Sequence, residues 1–235
     1  MNVIRKASLA LALLLVSGLA LPSSAFADNI TLYNTGVDGA GVVLITGAVD
    51  PHYTLLSVPD DIGNHTARVE PNIPATWIPN SSTSQWIGAT LGNGIYQESG
   101  FYYYQTTFDL TGLDPATVLI TGRLAGASSG GAVSLNNPTP LFPTNYSQGG
   151  NSPSAFTSFT FNSGFVSGLN TLNFVAFNNV STSLPGPNGL RVEVSGTARR
   201  LAPAVPEPSA VASMGLGSVG LLGLLLRARK RCPAA

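Results

Sequence analysis

The sequence contains little charge, little histidine and a single cysteine. Only 9% of its 235 residues are charged, and two are histidine. Between residues 28 and 200 there is no lysine, and five arginines stand against ten acidic residues. Such a region has no basic surface for a phosphate backbone, so we expect no nucleic-acid partner. Cys232 has no second cysteine with which to form a disulfide, so a packed core must hold the fold together.

The same scarcity removes most catalytic chemistry. Two histidines and one cysteine are too few for a zinc site. Residues 126–130 have the G-x-S-x-G spacing of a nucleophile elbow, but both histidines precede them and a strand pattern follows where a helix is needed. Glu70, Glu98 and Glu193 form no recognisable carboxylate pair for glycoside hydrolysis. We therefore expect a protein that is not an enzyme.

Calcium is the one ion for which the sequence offers candidate ligands. Asp50, Asp60 and Asp61 carry carboxylate oxygens, although no D-x-D-x-D-G loop surrounds them. We expect no cofactor, with a structural calcium ion as the alternative.

The first 27 residues have the three parts of a secretory signal peptide. Arg5 and Lys6 precede a mostly apolar run, and Ala25-Phe26-Ala27 gives the small-x-small pattern before Asp28. The pattern places the signal peptidase cut between Ala27 and Asp28. We predict cleavage and not retention because the apolar run is short for a membrane span. An uncleaved membrane anchor is the alternative.

The C-terminus also has three parts. A linker over 201–209 contains Pro206-Glu207-Pro208, the uncharged apolar stretch 210–226 follows, and the tail 227–235 carries four basic residues. As a helix, 210–226 would rise roughly 25 Å, enough to cross a thin hydrocarbon core with the basic tail left in the cytoplasm.

This order of parts resembles the PEP-CTERM sorting signal of exopolysaccharide-producing Gram-negative bacteria. The resemblance implies an exosortase that cuts near Pro206-Glu207-Pro208 after a transient stay in the inner membrane. It also implies delivery to the cell envelope or the extracellular matrix. A plain single-span anchor is the alternative.

Between residues 28 and 200 the apolar residues recur with period two. Leu190, Val192 and Val194 alternate with polar residues, and 101–110 has one apolar face and one that becomes polar along its length. Further strands are predicted at 42–46, 53–58, 77–79, 117–124, 132–135, 156–161 and 172–177. We predict an all-β fold, an antiparallel jelly-roll β-sandwich over 28–200, flanked by the signal peptide and one C-terminal transmembrane helix.

Several blocks of this region carry a second resemblance. Trp86-Ile87-Gly88, the strand 102–110 and the block 189–196 are similar to those of secreted galactose-binding-like jelly rolls, which often bear PEP-CTERM tails. The resemblance implies the fold more than a role. Asn136-Asn137 and the loop 126–131 depart from the group, so it implies no ligand or ion site in that loop.

Four aromatic residues are the candidate ligand-binding residues. Trp77, Trp86, Tyr96 and Tyr103 offer flat faces for sugar rings, and the polar stretch 80–85 lies between the two tryptophans. For both tryptophans a place in the core is the alternative, because large aromatics dominate cores.

The leading functional expectation is a secreted, exosortase-sorted, non-catalytic protein of the envelope or biofilm matrix that associates with extracellular polysaccharide. A purely structural or adhesive matrix component without a sugar site is the first alternative. A secreted glycoside hydrolase is the second and less favoured one. Solvent exposure of Trp86 separates the first two.

Overall fold

A computed structural model gives the fold of the protein. It describes residues 27–59, 66–89, 96–126, 131–141, 148–150, 152–179 and 186–201. The chain divides into two units, Met1–Leu201 and Ala202–Ala235, and every described residue belongs to the first. Within these described ranges, no helix is long and apolar enough to cross a membrane. The helix predicted at 210–226 lies outside them.

The described residues are strands and turns, with one short 3₁₀ turn at Pro115–Thr117 that begins after Asp114. This confirms the predicted all-β class. In chain order the strands are β1 (Ala27–Asn29), β2 (Val49–Ser57), β3 (Thr66–Val69), β4 (Ile87–Gly88), β5 (Tyr96–Gln97), β6 (Gly100–Asp109), β7 (Leu119–Gly126), β8 (Gly131–Leu135), β9 (Gln148–Gly150), β10 (Thr157–Phe161), β11 (Leu169–Asn178), β12 (Gly186–Pro187) and β13 (Leu190–Arg199).

Eleven of these described strands form one antiparallel sheet. Its order is β10-β7-β13-β4-β3-β2-β6-β11-β8-β9, with β1 added on β13, while β5 and β12 pair separately. The two outermost strands of the order, β10 and β9, contact each other. The sheet is therefore nearly closed, which leaves little free edge for unwanted pairing with other chains.

The main core lies inside this curled sheet. Tyr104 and Phe108 of β6 point inward and are buried, whereas Thr107 and Asp109 are exposed, as the period of two predicts. Phe159 of β10 meets Phe174 of β11 with ring centroids 6.1 Å apart. Because β10 and β11 are not neighbours in the sheet, this contact runs across the interior of the curled sheet.

The strand predicted at 42–46 is not formed, apart from an isolated antiparallel bridge between Val43 and Val37. Asp38 Oδ1 accepts from the backbone N–H of Val42 at 2.9 Å, which closes the tight turn between these two residues. Ile45 remains 81% exposed, so the apolar residues of this segment have no partner sheet on which to pack. Apolar content alone misled the sequence prediction here.

The strand predicted at 77–79 is also not formed. The backbone N–H of Trp77 donates to the carbonyl of Pro74 at 2.9 Å, so the chain turns there. Pro79 has no N–H to offer a neighbouring strand. Two prolines so close together favour a turn over a strand.

Candidate functional site

The two tryptophans lie in a buried cluster on the outer side of the sheet. Trp86 is 0% and Trp77 is 6% exposed, and their ring centroids are 4.4 Å apart. They pack on Ala125 of β7, with Phe156 at the edge of the cluster. Neither ring presents a face to solvent, so their burial favours the core alternative that the sequence left open.

The other two aromatic candidates lie elsewhere. Tyr103 is buried on β6, and its ring centroid lies 6.1 Å from that of Phe101. Tyr96 belongs to β5, and its side chain lies outside the described part of the chain. The structure therefore does not bring Tyr103 together with the tryptophans.

The tryptophans are held by residues 70–86, which we call the cover segment. The indole N–H of Trp86 donates to the carbonyl of Ile78 at 2.7 Å, and its backbone N–H donates to Asn80 Oδ1 at 2.8 Å. The segment thus folds around its own two indole rings. These bonds satisfy polar groups that burial would otherwise leave unpaired.

Arg191 fastens the cover segment to β13. Its side chain is only 2% exposed. The guanidinium donates to Ser84 Oγ at 2.8 Å, to Ser81 Oγ at 2.9 Å and to the carbonyl of Pro79. Burial lowers the pKa of Arg191, and the nearby Glu193 carboxylate offsets part of that effect. The group stays charged at neutral pH because its ordinary pKa is so high.

Glu193 links this buried arginine to an exposed one. Its carboxylate accepts from Ser84 Oγ at 2.8 Å and from Arg123 Nε at 2.7 Å, and Arg123 Nη2 lies 2.6 Å from the same oxygen. Burial acts to raise the pKa of Glu193. The hydrogen bonds from Ser84 and Arg123 and the charges of two arginines outweigh burial and lower that pKa. Glu193 is therefore an anion held in place, and it is poorly suited to accept a proton.

One aromatic ring lies under both guanidinium groups. The Phe156 ring centroid is 4.3 Å from Cζ of Arg123 and 5.1 Å from Cζ of Arg191. Cation–π contact of this kind fixes the plane of a guanidinium as well as attracting it. Phe156 thus helps to set the orientation of the exposed Arg123.

Asn34 also links the cover segment to β13. Its side-chain Oδ1 accepts from the backbone N–H of Val194 at 2.8 Å, and its Nδ2 donates to the carbonyl of Thr83 at 2.9 Å. Asn34 therefore connects the chain after β1, the strand β13 and the cover segment. A side-chain oxygen here takes the place of a backbone acceptor in the ladder.

These contacts border an open groove of about 380 Å³ on the outer face of β7, β10 and β13. The groove is lined by Asn34, Thr121, Gly122, Arg123, Ser158, Glu193, Val194 and Ser195. A recess of about 190 Å³ adjoins the groove and shares Asn34 and Val194 with it. The recess is also lined by Tyr33, which follows β1, and by Thr83 of the cover segment. The polar stretch 80–85 therefore borders the recess through Thr83.

The groove is equipped to form hydrogen bonds. Thr121, Ser158 and Ser195 are exposed hydroxyl residues, and the side chain of Arg123 is 52% exposed. Among the described residues that line the groove and the recess, Glu193 is the one carboxylate, and it is bonded as described above. Hydrolysis of a glycosidic bond needs two carboxylates across the substrate. The lining suits binding of a hydroxyl-rich ligand.

Asp50 is engaged in holding a turn. Its carboxylate accepts from the backbone N–H groups of Gly36 at 2.6 Å, His52 at 2.8 Å and Tyr53 at 3.1 Å. Burial raises the pKa of Asp50, and these three bonds oppose that rise. No cluster of three or more His, Cys, Asp or Glu suited to a metal lies in the described part of the chain. Asp60 and Asp61 lie outside it.

The processing residues are only partly described. Ala27 and Asp28 belong to β1, and Asp28 forms an ion pair with Arg200. Asp28 pairs with Ala198 and Asn29 with Thr197 on β13, so cleavage after Ala27 leaves two of the three pairs of β1 in place. Ala25 and Pro206-Glu207-Pro208 lie outside the described residues.

Sequence reasoning missed the residues that shape the groove. The alternation in 190–195 placed Arg191 on the solvent face together with Glu193, whereas in the strand Leu190, Arg191 and Val192 are all buried. What buries Arg191 is the cover segment, which is distant in sequence. The available signal was that β13 carries an arginine and a glutamate on one face in a region with so few charges.

Comparison with protein families identifies the C-terminal segment. Residues 204–230 match the model of the PEP-CTERM protein-sorting motif. The chain carries a PEP-CTERM sorting signal. The match includes the positions of Pro206, Glu207 and Pro208, and it marks an exported protein that an exosortase sorts to the cell envelope. A search of curated proteins finds no match.

Among solved structures, the enzymatically active domain of tailspike protein 4 from bacteriophage CBA120 is similar to this chain. The match has 17% sequence identity and a TM-score of 0.28, and it covers 73% of this chain and 19% of the tailspike chain. The chain therefore spans less than a fifth of that protein, at a TM-score too low to indicate a shared fold.

Proposed function

We propose that this PEP-CTERM protein is a non-catalytic component of the envelope or biofilm matrix that binds extracellular polysaccharide through the groove on β7, β10 and β13. The galactose-binding-like jelly roll that the sequence resemblance implies is part of this proposal, as are cleavage after Ala27 and a transient inner-membrane anchor at 210–226.

One observation carries the proposal. The open groove combines the exposed hydroxyls of Thr121, Ser158 and Ser195 with Arg123, whose guanidinium is oriented by Phe156, next to the cover segment. Polysaccharides present many hydroxyls and few apolar groups, so their recognition depends on several hydrogen bonds made together. A groove open to solvent admits an internal stretch of a long polymer, which an enclosed pocket would exclude. The matched sorting motif supplies the export route to such a polymer.

A structural or adhesive matrix component without a sugar site is the second candidate. The burial of both tryptophans favours it, because aromatic stacking platforms are a common means of holding sugar rings. In the adjoining recess Tyr33 is the aromatic residue, and His52 stacks on its ring with centroids 3.6 Å apart. The His52 ring therefore covers one of the two faces of the Tyr33 ring, and a sugar could not stack on that face.

The test is a titration of the full chain, purified in mild detergent, with extracellular polysaccharide from bacteria that possess an exosortase. Thr121→Ala combined with Ser195→Ala removes two hydroxyls from the groove. Thr107→Ala is the matched control, because Thr107 is an exposed threonine on the outer face of β6. We expect the double variant to bind about tenfold more weakly, as two lost hydrogen bonds imply, and the control to bind as the wild type does.

Circular dichroism of each variant shows whether its fold is intact. Failure of the folded wild type to bind any extracellular polysaccharide would reject the proposal and leave the structural or adhesive candidate. Unchanged binding by the folded double variant would place the sugar site outside this groove.

A further inference from the structure

The exposed Arg123 is held in a fixed orientation with one edge free. Its Nε and Nη2 both contact Oε2 of Glu193, and its plane lies over Phe156. A guanidinium has five donors arranged as a fork. Glu193 occupies the edge formed by Nε and Nη2, which leaves the edge that includes Nη1 for a ligand in the groove.

The charges around the groove do not cancel. Arg123 and Arg191 bring two positive charges, and Glu193 brings the one carboxylate that contacts them. The remaining donors of Arg191 bond to neutral oxygens, those of Ser84, Ser81 and Pro79. One positive charge is therefore left over. Because Arg191 is buried, a ligand meets that charge at Arg123.

We propose that the groove recognises an acidic polysaccharide, one whose sugar units carry carboxylates. The carboxylate accepts two hydrogen bonds from the free edge of Arg123, and the hydroxyls of Thr121, Ser158 and Ser195 bond to neighbouring sugar hydroxyls. Paired hydrogen bonds between a guanidinium and a carboxylate are both strong and directional. This inference rests on the proposed function and names its ligand class.

The charge of the rest of the domain opposes the binding of an acidic polymer away from the groove. Residues 28–200 contain ten acidic residues and five arginines, so much of the surface repels an anionic polymer. Arg123, held in a fixed orientation within this negatively charged surface, determines where an acidic polysaccharide can bind. Glu193 and Phe156 act as positioning residues for Arg123.

The test uses polygalacturonate and the same polymer after chemical reduction of its carboxylates to alcohols. Both are titrated into the full chain in mild detergent, at low and at raised salt concentration. We expect the acidic polymer to bind about tenfold tighter than its reduced form, with a preference that falls as salt is added. Arg123→Gln should abolish the preference, and Arg123→Lys should restore only part of it because lysine lacks the fork.

Arg199→Gln is the control, because it removes the same charge from an exposed position on β13 outside the groove. It should keep the preference. Equal binding of both polymers by the wild type, or binding of neither, would overturn the inference, whereas the proposed function is decided by the titration with bacterial extracellular polysaccharide. A loss in Arg199→Gln as large as in Arg123→Gln would show that net charge alone attracts the polymer.

Discussion

Replacing Arg191 with methionine should detach the cover segment from the sheet. Methionine keeps much of the length and apolar volume of the arginine side chain but offers no hydrogen-bond donor. The change removes the bonds to Ser84, Ser81 and the carbonyl of Pro79, which hold the cover segment on β13.

The size of the effect follows from what each partner retains. Breaking a buried charged network by removing one member costs about 3–5 kcal/mol. Glu193 keeps its contacts with Arg123 and Ser84 after the change, so its charge does not become isolated. We therefore expect the lower end of that range, a loss of about 3 kcal/mol in the free energy of unfolding.

Denaturation of the full chain in urea measures this loss with two independent signals. The fluorescence of Trp77 and Trp86 reports on the cover segment, and far-ultraviolet circular dichroism reports on the sheet. Arg199→Met is the control, because its side chain is exposed on the same strand and should change stability by less than about 0.5 kcal/mol. A loss below about 1 kcal/mol in Arg191→Met would refute the view that this arginine holds the segment in place.

Two further predictions concern the walls and floor of the groove. The pKa of Glu193 is lowered, so its contribution to stability is complete above the ordinary value of 4.5 and is lost as pH falls through the lowered value in the folded protein. Glu193→Gln should flatten the acid side of a plot of denaturation midpoint against pH, and an unchanged slope would contradict this. A Cβ at Gly122 would lie 2.7 Å from the backbone oxygen of Glu193 and against the ring of Phe159. Gly122→Ala should therefore lose about 1–3 kcal/mol in urea denaturation, whereas Gly39→Ala, where a Cβ meets nothing within 4 Å, should show no such loss.

The strands that the sequence predicted well are those with a full two-residue period. The segment 101–110 differs by one residue at each end from β6, and the inward face is the one with Tyr104 and Phe108. The pattern succeeds there because the alternation of apolar and polar residues is enough to assign each side chain to the core face or the solvent face. It fails at 42–46, where apolar residues are present but their pairing is limited to a single bridge between Val43 and Val37.

The groove was harder to foresee because it depends on contacts between segments far apart in sequence. Arg191 and the cover segment are separated by most of the domain, and no local pattern indicates that one covers the other. Thr83 of the stretch 80–85 lies at the recess, and the prediction that this stretch contributes to binding stays a prediction. The prediction that tryptophan rings form that surface does not agree with their burial.

The position of β13 has a consequence for the timing of folding. It is the last of the described strands, yet it lies between β7 on one side and β1 and β4 on the other. A chain that emerges from a translocation channel with its N-terminus first lacks the strand that joins the two halves of the sheet until residues 190–199 have passed. Pairings between such distant segments also form slowly. The sheet can therefore be completed only when β13, which directly precedes the sorting motif in sequence, has arrived.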